Sequence, residues 1–165
     1  IRHGGESMFN IGDKVVYPMH GAGIIEAIEE QEVLGETRQY YIMAMPIGDM
    51  KVMIPMDSVD DLGLRQIIST EEAEQVIQVL KGEESAMSSN WNRRYRANME
   101  KIKSGDIYSV AEVVRNLTLR DNEKGLSAGE RKMLDIARQI LVSELVLVRD
   151  SNEDAINELL VSCLS

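Results

Sequence analysis

The spacing of apolar residues divides the chain into two parts, of which the first has the pattern of a β-structure. Between Ile11 and Ile68, short β-branched and aromatic segments alternate with polar positions and are separated by glycines. The expected strands are residues 14–17, 24–33, 38–45 and 51–55, with a hairpin at Gly48-Asp49. Four or five short strands in a segment of about sixty residues predict a small barrel of the SH3 or Tudor kind, closed or nearly so.

Beyond Ile68 the apolar period becomes helical. Ser69 and Glu72 have the Ser-x-x-Glu spacing of a capping box, and Gly82 is placed to end the helix that they begin. Further helices are predicted from 91 to 105, from 106 to 125, from 127 onwards and over roughly 153–161, with 83–89 as a loop or linker. The sequence therefore predicts an α+β chain, with a small β-barrel over residues 8–68 followed by an all-helical domain over 69–165.

Composition limits the cellular setting and the partners. The chain has 165 residues, is 44% hydrophobic and contains one cysteine, Cys163, so that internal disulfides are excluded and a reducing cytoplasm is expected. No apolar run approaches the ~18 residues that a membrane span needs, and no membrane partner is expected. Residues 1–7 are interpreted as a cloning or tag remnant, with Met8 as the native start and His20 as the remaining candidate histidine.

Positive charge is concentrated around the single tryptophan. Residues 91–103 carry five bases and one acid, whereas the rest of the chain carries 13 bases and 27 acids. A basic helix that also presents a large aromatic ring is suited to holding a phosphate backbone while stacking on a base. The alternative is that Trp91 and Tyr95 pack into a core and the arginines form a solvated face. Because the net charge is −10, any contact with nucleic acid must be local.

Motifs of catalysis are weak in this sequence. Residues 125–129 match the G-x-S-x-G pattern of serine hydrolases, but a helix precedes Ser127 and no histidine follows it, so Ser127 is interpreted as a helix cap. His20 has no second histidine or cysteine partner for a metal, and the glycines at 21 and 23 precede a strand instead of a helix amino terminus. We expect no catalytic residues, metal or cofactor.

Several longer segments together resemble the CarD-like bacterial transcription regulators. They are Ile11-Gly12-Asp13-Lys14-Val15-Val16-Tyr17-Pro18, His20-Gly21, Trp91-Asn92-Arg93-Arg94-Tyr95-Arg96, Ser104-Gly105-Asp106, Val110-Ala111-Glu112-Val113-Val114-Arg115, the run from Lys124 to Leu134, and Ala137-Arg138-Gln139-Ile140-Leu141. The resemblance covers nearly everything from Met8 to about Val148. It implies a Tudor-like module that binds the RNA polymerase β subunit and a helical module that contacts promoter DNA at the upstream edge of the transcription bubble.

The resemblance also implies which residues act. A tryptophan matching Trp91 wedges into the minor groove at the upstream fork, and the implied phosphate contacts are Arg93, Arg94, Arg96, Arg120 and Arg131. The implied polymerase contacts lie on one strand and are Lys51, Met53, Ile54 and Pro55. The chain departs from the family at Met53 and Gln31, where basic residues are common, so an apolar contact is expected to replace an ion pair at Met53.

The sequence thus predicts a non-enzymatic, cytoplasmic transcription regulator that associates with the nucleoid through polymerase and stabilises the open promoter complex. A monomer is expected. The alternative is a protein–protein adaptor on polymerase whose helical half never touches DNA, which a fully buried Trp91 would favour.

Overall fold

The computed structural model describes residues 9–165 and confirms the α+β architecture, with strands in the first part and helices in the second. The interpreted tag remnant and Met8 lie outside the described residues. The strands are β1 (Lys14–Tyr17), β2 (Gly21–Val33), β3 (Glu36–Ala44), β4 (Lys51–Pro55) and β5 (Arg65–Gln66). A 3-10 turn (Met56–Ser58) and the short helix α1 (Val59–Leu62) connect β4 to β5.

The five strands form one antiparallel sheet in the order β4-β3-β2-β1-β5. A register shift between Ile25 and Ala27 marks a bulge in β2, which is a common way to bend a strand. The bent sheet encloses one apolar cluster, consisting of Phe9, Val15, Ile25, Tyr41, Met43, Ile54, Met56, Val59 and Leu64. The predicted Tudor-like module is therefore confirmed as a five-stranded sheet, with β4 as an edge strand.

The helical part consists of five longer helices. They are α2 (Thr70–Lys81), α3 (Trp91–Lys103), α4 (Ile107–Lys124), α5 (Ala128–Val148) and α6 (Glu153–Leu164). The predicted capping box is present, because the Ser69 hydroxyl accepts from the Glu72 amide and the Glu72 carboxylate accepts from the Ser69 amide. Helix α6 runs three residues past the predicted end at Val161. No helix in residues 9–165 combines the length and apolar character that crossing a bilayer requires.

Helix α5 lies at the centre of the molecule and is buried on nearly every side between residues 140 and 147. One side packs with α2, α4 and α6 in the main helical core, and another contacts β2. Gly21 permits this approach, because a Cβ there would lie 2.6 Å from the Ser143 hydroxyl oxygen, which is a steric clash. Gly21 therefore serves helix–sheet packing, whereas Gly23 makes room within the sheet, where a Cβ would lie 2.7 Å from the Ala44 carbonyl oxygen of β3.

Buried polar contacts fix the sheet to the helices. Glu144 on α5 is 0% exposed and receives both terminal nitrogens of Arg65, at 2.8 and 2.9 Å. Its Oε2 also accepts the Ile68 backbone amide at 2.9 Å. Next to it, the Ser143 hydroxyl accepts the Ala22 amide at 2.8 Å. Because a buried carboxylate is tolerated only with such partners, these contacts define one orientation of the two parts.

Candidate nucleic-acid interface

Trp91 is the first residue of α3 and lies at the surface. Asn90 caps the helix by accepting the Arg93 amide at 3.0 Å, so that the chain turns into the helix immediately before the indole ring. The Trp91 side chain is 42% exposed. A core residue would be largely covered, and the structure therefore favours a presented tryptophan over the alternative of core packing.

Three neighbours hold the indole ring in one orientation. The Trp91 Nε1–H donates to the Ser127 hydroxyl at 3.0 Å. The ring of Tyr95, one turn along α3, stacks on the indole with centroids 5.0 Å apart and planes inclined by 22°. Gly129 lies beside the indole, because a Cβ at that position would be 3.4 Å from Trp91 Cζ2, an ordinary van der Waals distance. Because the ring is held on several sides, it needs little ordering before it can stack on another surface.

Arg94 is buried, and this corrects the prediction that it contacts a phosphate. Its side chain is 5% exposed and forms an ion pair with Glu130, with Nε 2.7 Å from Oε2. One terminal nitrogen donates to the Ser88 carbonyl at 3.0 Å and the other to Glu130 Oε1 at 3.3 Å. The hydrogen bond and charge of Arg94 hold the pKa of the Glu130 carboxyl below its usual range, against the opposing effect of burial. The guanidinium is thus directed into the protein, toward Glu130 and the loop carbonyls, and not toward a ligand at the surface.

The Arg94–Glu130 pair and the tryptophan belong to one hydrogen-bond network. Ser127 caps α5 by accepting the Glu130 amide at 3.2 Å, as predicted, and its hydroxyl donates to Glu130 Oε1 at 3.2 Å. The same hydroxyl accepts from Trp91. The network therefore joins the start of α3 to the start of α5, and it sets where the indole lies relative to both helices.

The loop before Trp91 is fixed by hydrogen bonds from buried arginines. Arg115 on α4 is buried and donates to the Val79 carbonyl at 2.9 Å and to the Ser85 hydroxyl at 2.7 Å. Arg94 holds the Ser88 carbonyl at the other end of the loop. The segment predicted as a loop or linker is thus a loop without regular structure that is anchored at both ends.

The other predicted cations differ in how free they are. Arg93 is exposed and its side chain makes no ion pair or hydrogen bond within residues 9–165, and exposed Arg96 makes one long hydrogen bond of 3.4 Å to its own helix. Arg120 is half-buried and forms no salt bridge in the described part of the chain, although its Nε is buried without an acceptor. Arg131 is exposed but shares two 3.2 Å hydrogen bonds with Asp121. Four of the five predicted arginines therefore remain candidates for phosphate contacts.

The strand predicted to bind polymerase lies at the edge of the sheet. Met53 is 48% exposed, Lys51 is exposed and pairs with Glu26 at 2.6 Å, and Pro55 is half-buried. Ile54 is the exception, because it points into the apolar cluster of the sheet and is 0% exposed. Side chains alternate along a strand, so Ile54 cannot share a surface with Met53. The assignment of Ile54 as a direct contact is therefore corrected.

Other candidate chemistry has structural roles. Ser127 caps α5 and accepts a hydrogen bond from Trp91. Its side-chain partners in the described residues are Trp91 and Glu130, and neither is a histidine. His20 lies in a turn, where Nδ1 is 3.1 Å from the Pro18 carbonyl and the ring stacks on Tyr17. In the part of the chain that the structure describes, no group of three or more His, Cys, Asp or Glu side chains is arranged to hold a metal ion.

Sequence reasoning missed the residues that position the tryptophan, namely Ser127, Gly129 and Glu130. The burial of Arg94, which pairs with Glu130, did have a signal in the sequence. In the helical spacing of α3, Arg94 lies four residues before Asn98 and eight residues before Ile102. Residues four apart share a face of a helix, so an arginine aligned with a buried isoleucine should itself be covered. The burial of all three residues agrees with this spacing.

The fold and the exposed tryptophan define a two-part protein class, in which a Tudor-like sheet is joined to a helical bundle. Comparison with known proteins identifies the class. The model of the CarD-like/TRCF RID domain matches residues 9–68, and the model of the CarD C-terminal domain matches residues 75–161. A Bacillus subtilis (strain 168) protein named "Putative transcription factor YdeB" is 45% identical over 149 residues, which are 90% of this chain and 97% of that protein.

The chain belongs to the CarD-like family of transcription regulators. This is a family of transcription factors and not of enzymes. The amino-terminal part of the chain, residues 9–68, is a domain of the kind that interacts with RNA polymerase. The resemblance predicted from the sequence is thereby confirmed.

Proposed function

We propose that the protein binds the RNA polymerase β subunit through its sheet and stabilises the open promoter complex with Trp91 at the upstream edge of the bubble. The observation that carries this proposal is the indole ring, which is partly exposed and held by Ser127 and Tyr95. A ring inserted where base pairs are already unstacked costs little and resists reannealing, because closing the bubble must expel it. The experiment that tests it compares the lifetimes of promoter complexes formed with the wild type and Trp91→Ala.

Phosphate contacts in this proposal come from Arg93, Arg96, Arg120 and Arg131. Arg93 and Arg96 are exposed on the first turns of α3, beside the indole in sequence. Arg131 lies in the first turn and a half of α5, whose amino-terminal cap Ser127 touches the ring. Its pairing with Asp121 is at the surface, where an ion pair contributes little and can be exchanged for a phosphate.

Tethering explains how an acidic protein can use so few DNA contacts. Binding of the sheet to polymerase raises the effective concentration of Trp91 at the fork, so that the contact with DNA becomes intramolecular. The ion pair between half-buried Arg65 and buried Glu144 supports this role, because it holds the helices in a constant position relative to the sheet. A flexible connection would lose part of that gain.

The edge strand β4 is the proposed docking site on polymerase. Among residues 9–165, β4 pairs only with β3, so one row of its backbone groups is open to another strand. Replacing Met53 with glutamate should weaken binding to purified β subunit by roughly tenfold or more, because an unpaired charge would be desolvated at the interface. Binding can be measured by biolayer interferometry.

A matched control for this substitution is Val161→Glu, which places the same charge at an exposed apolar residue of α6. The control should leave binding unchanged. Unaltered affinity of Met53→Glu would show that this face is not the docking site. Substitution of Ile54 is unsuitable as a test, because its side chain is part of the sheet core.

DNA binding by the isolated protein should be weak and salt-sensitive. With Arg94 buried, no more than about four arginines can neutralise phosphates, which limits the slope of log K against log salt to roughly −4. The net charge of −10 further opposes approach. Titration of fluorescent duplex DNA at several salt concentrations measures the slope, and Arg93→Ala should make it shallower by about 1. Tight binding that is independent of salt would contradict this prediction.

The exposure of Trp91 supports this function over that of an adaptor without DNA contact, which a fully buried Trp91 would favour. A monomer that acts in the cytoplasm, bound to polymerase on the nucleoid, completes the proposal. One polymerase contact and one DNA contact within the same chain need no second copy.

A further inference from the structure

Strands β2 and β3 extend beyond the rest of the sheet as a two-stranded ribbon. Strand β1 pairs with β2 only at residues 21–24, and β4 pairs with β3 only as far as Tyr40. Residues 30–33 and 36–39 pair with each other and with no other strand among residues 9–165. Four residue pairs correspond to a projection of roughly 13 Å. Near its base the ribbon is anchored by Arg38, which donates to Asp57 at 2.8 Å.

The turn at the end of the ribbon contains a leucine that the fold does not explain. Leu34 and Gly35 connect the paired residues Val33 and Glu36, and their φ angles are 54° and 81°. A two-residue turn with two positive φ angles is type I′, for which Asn-Gly is preferred because a bulky side chain is disfavoured in the left-handed region. The Leu34 side chain is also 99% exposed, so no packing compensates for the strained backbone.

Acidic residues surround this apolar tip. Val33 beside it is 44% exposed, and four exposed acids occupy the neighbouring positions, namely Glu29, Glu30, Glu32 and Glu36. The one base of the ribbon, Arg38, is paired with Asp57. The tip is therefore an apolar projection with an acidic surround, and its complement is an apolar pocket with a basic rim.

The ribbon continues the face proposed to bind polymerase. Ile42 is directly opposite Met53 in the β3–β4 pairing, and Glu36 is opposite Val33 in the β2–β3 pairing. Ile42 and Glu36 are six residues apart on β3, and because side chains alternate along a strand they lie on the same face. Val33 and Met53 thus belong to one face of the sheet. Two anchors roughly 20 Å apart along β3 would fix the orientation of the sheet on a partner.

We propose that the Leu34 tip inserts into an apolar, basic-rimmed pocket on RNA polymerase, as a second anchor beside β4. This inference rests on the proposed binding to polymerase. It assigns Leu34 to recognition, since an exposed leucine in a left-handed turn is unfavourable for the isolated protein. Burial of such a side chain in a pocket would recover the apolar contact that the isolated protein lacks.

The test is Leu34→Asn, compared with the wild type in binding to purified RNA polymerase core enzyme and in thermal unfolding. Asparagine suits the turn, so the melting temperature should stay the same or rise. Affinity for polymerase should fall by about tenfold, as expected when one buried leucine is lost. Val161→Asn, at an exposed apolar residue of α6, is the control and should leave the affinity unchanged.

The possible outcomes separate this inference from the proposed function. If Met53→Glu weakens binding and Leu34→Asn does not, the tip is not an anchor, whereas the proposed docking by β4 stands. Failure of the wild type to bind polymerase overturns both. A large loss of stability in Leu34→Asn would show that the leucine serves the fold. If sedimentation showed a dimer that Leu34→Asn dissociates, the occupant would be a second copy, and the assignment to polymerase would be wrong.

Discussion

Replacing Arg94 with alanine is expected to lower the free energy of unfolding by about 3–5 kcal/mol, the usual cost of removing one partner from a buried ion pair. The variant leaves the Glu130 carboxylate buried without its main donor and releases the Ser88 carbonyl that fixes the preceding loop. Urea denaturation followed by circular dichroism measures the effect. The neighbouring Arg93 provides a matched control, because it is exposed and should change stability by no more than about 0.5 kcal/mol when replaced by alanine.

The Arg94–Glu130 pair should also make the free energy of unfolding depend on pH, which can be checked independently. The folded-state pKa of Glu130 is lowered, chiefly by the hydrogen bond from Arg94. Because this pKa is lowered, the ionised Glu130 carboxylate stabilises the folded state at pH values above the ordinary carboxyl range. This contribution is lost as pH falls through the folded-state pKa. The difference in stability between the wild type and Arg94→Ala should therefore shrink below about pH 4. Equal stability of Arg94→Ala and Arg93→Ala at neutral pH would refute the structural role of Arg94.

Replacing Trp91 with alanine should shorten the lifetime of the open promoter complex while leaving the fold and polymerase binding in place. Stacking on a base is worth about 1–3 kcal/mol, which corresponds to a change of roughly five- to more than a hundred-fold if the contact is made mainly in the open state. Because the tether through polymerase does not hold the indole perfectly at the fork, part of this free energy is lost, and the expected effect lies toward the lower end of this range. The folded state should tolerate the change, because the side chain is partly exposed and contributes one hydrogen bond, to Ser127.

Much of the fold could be predicted from the sequence, because its signals are local. The Ser69–Glu72 capping box, the Ser127 cap before α5 and the glycines after α2 and α4 set the helix limits within a few residues. The hairpin signal at Gly48-Asp49 located the start of β4 within two residues. What local pattern could not provide was the contact partner of each side chain, which depends on packing.

Arg94 and Ile54 show why the candidate sites were only partly predictable. Both lie in short motifs beside residues that are exposed, and a resemblance assigns a whole motif to one surface. A helix and a strand turn successive side chains in different directions, so that Arg93 is at the surface while Arg94 reaches Glu130 in the interior. Glu144 escaped prediction for a similar reason, because only the position of α5 between sheet and helices reveals that its carboxylate meets Arg65.

If a positioned indole keeps the bubble open, it should slow the dissociation of promoter complexes. Open complexes are formed with polymerase and either wild-type protein, Trp91→Ala or no added protein, and the surviving fraction is followed after challenge with competitor DNA. We expect a long lifetime with the wild type and a lifetime with Trp91→Ala that is at least about fivefold shorter, although both proteins are bound to polymerase. Equal lifetimes with the two bound proteins would show that the indole does not hold the bubble open and would leave Trp91 a purely structural role in its contact with Ser127.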